Sequence, residues 1–178
     1  MDTTNTPTHE EDPMPSPTVP PPDPHTLPDP HTLLAPAKAE ARAGADEGGV
    51  PIGAALFGLD GTLLGRGRNR RVQDDDPIMH AETAAFRNAG RRPHYRDTIM
   101  VTTLSPCWYC SGLVRQFGIG RLVIGEAATF AGGHDWLAEA GVSVTILDDA
   151  DCTAMMETFI RERPALWFED IGTPADES

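Results

Sequence analysis

No run of about 18 apolar residues occurs in the 178-residue chain, so nothing in it reads as a membrane-spanning helix and no membrane partner is expected. The first residues lack a basic stretch followed by an apolar one, so a secretory leader is not expected. Cysteine is scarce: Cys107, Cys110 and Cys152 are the whole supply, too few for a disulfide framework. That usage fits a reducing compartment, with the cytoplasm as the expected location. Basic charge is short as well, with 14 Lys and Arg against 27 Asp and Glu and a formal charge of −13. Residues 50–178 alone hold twelve basic and eighteen acidic side chains. A polyanion requires clustered positive charge, and only residues 66–71 and 91–96 concentrate arginine. Such runs are more often solvated faces, so nucleic acid is not the expected partner.

What the chain does have divides into two materials. Eleven of the seventeen prolines lie within residues 1–36, and PDPHTL at 22–27 is repeated at once at 28–33. So few apolar residues cannot offset the entropy of ordering, which predicts a disordered, partly polyproline-II tail over residues 1–33. His9, His25 and His31 fall there and read as solvated. Residues 34–178 are long enough for one domain with a sizeable core.

Within that domain the Ala-rich stretch 34–47 predicts a helix ended by Gly48 and Gly49. Asp60-Gly61 between apolar runs predicts a hairpin that finishes in the basic edge 66–71, which contains Asn69. Residues 74–77 read as a loop, and a helix follows over 81–88. The β-branched run 97–104 predicts a buried strand, and 107–117 the next helix, with both cysteines in its first turn. There the helix dipole and free N–H groups favour thiolate over thiol. Strands at 120–124 and 142–147, a short helix or loop at 132–139, and a helix over 151–163 with Asp151 as N-cap complete the alternation. Residues 164–172 form a short amphipathic segment. A hairpin followed by βαβ-like units predicts an α/β fold of three α/β/α layers around a mixed central sheet.

The chemistry concentrates in His80-Ala81-Glu82 and Pro106-Cys107-Trp108-Tyr109-Cys110. This H-x-E … P-C-x-x-C pattern is the one the zinc nucleobase deaminases carry. One imidazole (His80) and two thiolates (Cys107 and Cys110) suit Zn²⁺ and leave a fourth position for water, whose pKa falls to roughly 7 on the metal. Glu82, two residues beyond the histidine, is placed to carry protons without binding zinc. The competing reading is a closed structural site, for which Cys152, His94 or His134 would supply a fourth ligand.

The chain resembles fungal-type cytosine deaminases of the cytidine deaminase-like superfamily. The resemblance rests on GGVPIG (48–53), GRGRN (65–69), HAE (80–82), TTLSPCWYC (102–110), IGE (124–126) with Phe130, and RERPALWFEDIG (161–172). It implies a homodimer that hydrolyses free cytosine to uracil and ammonia. It also implies that Asn69 holds the base carbonyl, Asp170 accepts a ring N–H, and the Ser105 carbonyl receives the amine. Ile52, Phe130 and Trp167 would cover the ring, and Ala81, where the fungal enzymes have Gly, keeps the backbone N–H. Read without the resemblance, Asn69 is an amide donor or a turn cap, and Asp170 a pocket acceptor or a solvated acid. One of Trp167 and Phe168 belongs to the core. Trp108-Tyr109 departs from the smaller pair of the family, so Trp108 is expected beside the pocket, where it would shift which ring is accepted. Alternatives are another small ring (creatinine, guanine, an aminopyrimidine or an aminotriazine), a tRNA adenosine deaminase, or a non-catalytic zinc scaffold.

Overall fold

The strand over Thr98–Leu104 (β3) is buried at all seven positions and forms the middle of the sheet. Its run of β-branched and long apolar side chains suits a strand covered on both faces. The computed structural model describes residues 27–173. Along the described chain the elements are α1 (Pro30–Asp46), β1 (Gly53–Gly58), β2 (Leu63–Arg68), α2 (Arg71–Asp74), α3 (Ala81–Ala89), β3, α4 (Trp108–Gln116), β4 (Arg121–Glu126), α5 (His134–Glu139), β5 (Ser143–Ile146), α6 (Ala150–Glu162) and α7 (Pro164–Ile171). The sheet order is β2-β1-β3-β4-β5. The β1 strand runs antiparallel to both β2 and β3, whereas β4 and β5 continue parallel to β3.

Period-two alternation sends the two sets of strand side chains to opposite layers. Leu56, Met100, Leu122 and Ile124 pack with Ala81 and Ala85 of α3, Val114 of α4 and Leu137 of α5. Ala55, Phe57, Ile99, Val101 and Val123 pack with Leu33, Leu34 and Ala37 of α1 and Cys152 of α6. The expected three-layer α/β/α architecture with a mixed sheet is therefore what the chain adopts. No helix among the described residues is long and apolar enough to cross a membrane.

Four local expectations change. First, α1 begins at Pro30, so the expected tail boundary at residue 33 falls inside a helix. The Asp29 side chain accepts the Thr32 N–H at 3.1 Å and Pro30 fills the first helical turn, making the second PDPHTL copy a helix start. Leu33 and Leu34 are consequently core residues, and His31 is an exposed residue of the helix. Residues 1–26, with His9 and His25, lie outside the described residues. Second, α6 is capped by Asp149, whose carboxylate accepts the Cys152 N–H at 2.9 Å; Asp151 lies inside the helix. Third, Arg71–Asp74 is a single helical turn that takes in the first residue of the expected loop. Fourth, the segment after Pro164 is a helix, started by that proline and stopped by Gly172 in the left-handed region at φ 67°.

The GRGRN stretch has a packing role. A Cβ on Gly65 or Gly67 would run into the α3 backbone at Ala85 and Ala89 or at Ala84 and Ala85. The helix therefore rests directly on β2, and that contact fixes its N-terminus, which carries His80 and Glu82.

Candidate active site

Two helix starts meet at the C-terminal end of β3. His80 is the N-cap residue of α3 and Cys107 that of α4, and neither side chain is spent on capping. Both face the gap between the helices, with Cys107 Sγ 3.5 Å from His80 Nδ1. Cys110 sits three residues on, on the same side of α4, and the ligand atoms of all three residues lie within 4.8 Å of one another. Glu82 is 3 % exposed, and its Oε1 accepts a hydrogen bond from Thr102 Oγ1 at 3.2 Å.

The electrostatics follow from this crowding. A hydrogen bond from Cys110, reinforced against burial by His80, holds the Cys107 thiol down to about 4. Cys110 is pushed well above the ordinary thiol range by its hydrogen bond to Cys107 and by burial. For His80 burial opposes the charged ring, but the hydrogen bond to Cys107 and the charges of Asp170 and Glu82 raise its pKa overall. Burial, and then the Cys107 charge, raise that of Glu82.

One imidazole and two sulfurs converging at this spacing fit zinc. None of the candidate fourth ligands joins them. Cys152 lies in the core on the opposite side of the sheet, its thiol pushed up to about 12 by burial. His94 is exposed and pairs with Asp97 at 3.8 Å. His134 turns Nδ1 to Ser105 Oγ at 2.8 Å.

A pocket adjoins the metal donors, lined by Ile52, Asn69, Ala81, Glu82, Ser105, Phe130, Trp167 and Asp170 among others. Its empty volume is about 300 Å³. Trp167, Asp170 and Ile171 of α7 form one wall, and the Phe130 ring meets Trp167 edge-on at 5.7 Å. The Phe130 loop is tethered by Glu126, which accepts the Ala128 and Thr129 N–H groups at 2.7 and 3.0 Å, and by Ser105 Oγ, which accepts Gly132 N–H at 2.9 Å. Fully buried Asn69 donates from Nδ2 to Asp170 Oδ1 at 2.7 Å, and its Oδ1 accepts the Arg71 N–H at 3.1 Å.

Trp108 is the exception among the expected pocket residues. It is 67 % exposed and packs edge-on against Trp136 at 6.3 Å, away from the pocket. The reason is helical phase: Cys107 and Cys110 share one side of the α4 start, so the residue after Cys107 points elsewhere. Tyr109 packs edge-on against the His80 ring at 5.8 Å. Sequence reasoning missed Arg71, taken as part of a solvated basic edge. Its guanidinium reaches Asp170 Oδ1 at 3.4 Å with the side chain only 12 % exposed, and position two after Asn69 was the available signal.

A mononuclear metal site with three protein donors and a carboxylate beside them has the form of a hydrolytic centre rather than a structural one. Comparison with known proteins supplies the family. The chain belongs to the cytidine and deoxycytidylate deaminases, whose zinc-binding region matches residues 29–126, and is a zinc-dependent hydrolytic deaminase. It is similar to the cytosine deaminase of Candida albicans, 44 % identical over 135 residues, which cover 75 % of this chain and 90 % of that protein. It is also similar to a tRNA-specific adenosine deaminase of Streptococcus pyogenes, 30 % identical over 78 % of this chain and 94 % of that protein. Among solved structures, guanine deaminase from Nitrosomonas europaea superposes with a TM-score of 0.62 at 26 % identity, over 75 % of this chain and 86 % of that one.

Proposed function

We propose that this protein converts free cytosine to uracil and ammonia, with His80, Cys107 and Cys110 as zinc ligands and Glu82 as proton carrier. The observation that carries the reading is the single pocket in which Asn69, Asp170 and Glu82 line the space beside the metal donors. The similarity to a cytosine deaminase over most of both chains supports the choice of ring. Bound zinc supplies the Lewis acidity that activates water at neutral pH. With zinc held by His80, Cys107 and Cys110, Glu82 would carry two protons in turn: the first from water to the ring nitrogen beside the reacting carbon, the second from the added hydroxyl to the departing amine. The carbon–oxygen bond would form as the ring nitrogen is protonated, and the carbon–nitrogen bond would break afterwards, as the amine takes the second proton and leaves as ammonia. Burial lifts the Glu82 pKa, the direction a proton carrier at neutral pH requires. Asn69 offers an N–H to the ring carbonyl, and Asp170 accepts the neighbouring ring N–H. The Ser105 carbonyl receives the amine. Ile52, Phe130 and Trp167 cover the ring faces, and Ala81 lies on the pocket wall.

A small free base is favoured over a nucleotide within RNA because α7 closes one side of the pocket and the chain is strongly acidic. We further propose a homodimer, for which the exposed Trp108–Trp136 pair offers apolar surface, and light scattering tests it. The two thiols at the metal site fit a cytoplasmic location. The deciding experiment measures ammonia release from cytosine, cytidine, guanine, creatinine, an aminotriazine and adenosine-bearing tRNA. Cytosine is expected to give the highest kcat/KM. A better result with guanine would assign the pocket to a purine, and silence across the panel would reject the reading.

A further inference from the structure

Arg71 occupies the first position of α2, and its polar groups meet three parts of the site at once. Its backbone N–H donates to Asn69 Oδ1 at 3.1 Å, and its Nε donates to Pro77 O at 3.1 Å. Nη1 reaches Asp170 Oδ1 at 3.4 Å, and Nη2 reaches Glu169 Oε1 at 3.3 Å. We propose that Arg71 is a positioning residue whose guanidinium holds Asp170 in place for its pairing with Asn69 and latches α7 over the bound ring. This rests on the functional reading above.

The orientation follows from donor and acceptor counting. The Arg71 N–H occupies Asn69 Oδ1, so the Asn69 amide nitrogen is turned toward Asp170. A flipped amide would set N–H against N–H at Arg71 and oxygen against oxygen at Asp170. One amide N–H of Asn69 is used on Asp170 Oδ1, which leaves the other for a ligand carbonyl. Arg71 and Asn69 both converge on Oδ1 of Asp170, so Oδ2 stays available for a ligand N–H. The pocket thus presents one fixed donor beside one fixed acceptor.

The latch follows from where the contacts lie. Glu169 and Asp170 belong to α7, whereas Pro77 lies three residues before His80 in the segment that enters the metal site. The guanidinium therefore joins the wall helix to the metal-binding segment through charge-assisted hydrogen bonds. Only a planar fork spans these partners together, and lysine would keep the charge but lose the geometry.

The test is a cycle of Arg71→Gln, Asp170→Asn and the double variant in the zinc-loaded protein, with Arg71→Lys alongside. Ammonia release by the wild type from cytosine, or from whichever ring the panel selects, is measured first. That result judges the functional reading on its own, and the cycle then judges Arg71 on the accepted ring. Arg71→Gln should raise KM about tenfold while kcat changes less than threefold, on the scale of one charged hydrogen bond. Zinc content should stay near one per chain. In the Asp170→Asn background the same change should add less than about twofold, because both act on one contact. Arg71→Lys should fall between wild type and Arg71→Gln. Independent, multiplying effects, or a lowered Tm with unchanged KM, would overturn the proposal. If Arg71→Gln yields no folded protein, Arg71→Lys decides: a KM raised at least about threefold supports the latch, and a wild-type KM overturns it.

Discussion

Glu82 is a buried carboxyl group on the pocket wall whose Oε1 accepts a hydrogen bond from Thr102, and burying a carboxylate costs folding free energy unless a nearby cation or a proton compensates. The proposed proton-carrying role would require the carboxyl group there. Glu82→Gln should keep about one zinc per chain, reduce ammonia release by roughly 10²–10⁴-fold, and leave Tm unchanged or higher. Metal analysis beside the activity assay checks this, and loss of zinc would make Glu82 a ligand. At this scale the clustering of His80, Cys107 and Cys110 was legible because ligand types, order and spacing lie within short segments. Trp108 was misplaced because adjacency in sequence to Cys107 does not give direction around a helix, which depends on the α4 phase. Arg71 was missed because its partners Glu169 and Asp170 are about a hundred residues away in the chain.

Individual elements position these residues by close contact. Gly67 lies under Ala84 and Ala85 of α3, where an added Cβ would sit 2.5 Å from the Ala84 side chain. Gly67→Ala should therefore cost about 1–3 kcal/mol in chemical denaturation and lower kcat in the folded, zinc-loaded fraction, because the displaced helix carries Glu82. Full kcat would show that α3 has slack. The cap of α6 gives a pH prediction. Burial pushes the Asp149 carboxyl up, but hydrogen bonds from Lys38 and the Cys152 N–H outweigh it, so its folded pKa lies below the ordinary 3.8. Its contribution is therefore complete above about pH 4 and is lost as pH falls through the lower folded value. Asp149→Asn should be less stable than wild type by about 1 kcal/mol at pH 7, a gap that narrows below about pH 4. A gap constant down to pH 3 would contradict the depressed value. Strands and helices were legible from periodicity, whereas the α1 start and the α6 cap turned on which of several Asp residues found a backbone N–H.

For the whole molecule, the position of the domain edge makes a test. Deleting residues 1–26 should leave Tm and turnover as in the full chain. Deleting residues 1–33 removes the α1 start and Leu33, whose burial alone is worth about 1.5–3 kcal/mol, so Tm should fall. Equal Tm for the two truncations would place the edge at residue 33 after all. The sequence by itself determined the layered sheet, the candidate zinc donors and the reaction type, because hydrophobic period and ligand chemistry are properties of short segments. Only the tertiary structure decided that Trp108 faces outward and that Arg71 reaches Glu169 and Asp170 of α7. Those depend on helices packing across the sheet, where distances are set by side-chain volume and by the missing Cβ atoms of Gly65 and Gly67 rather than by order along the chain.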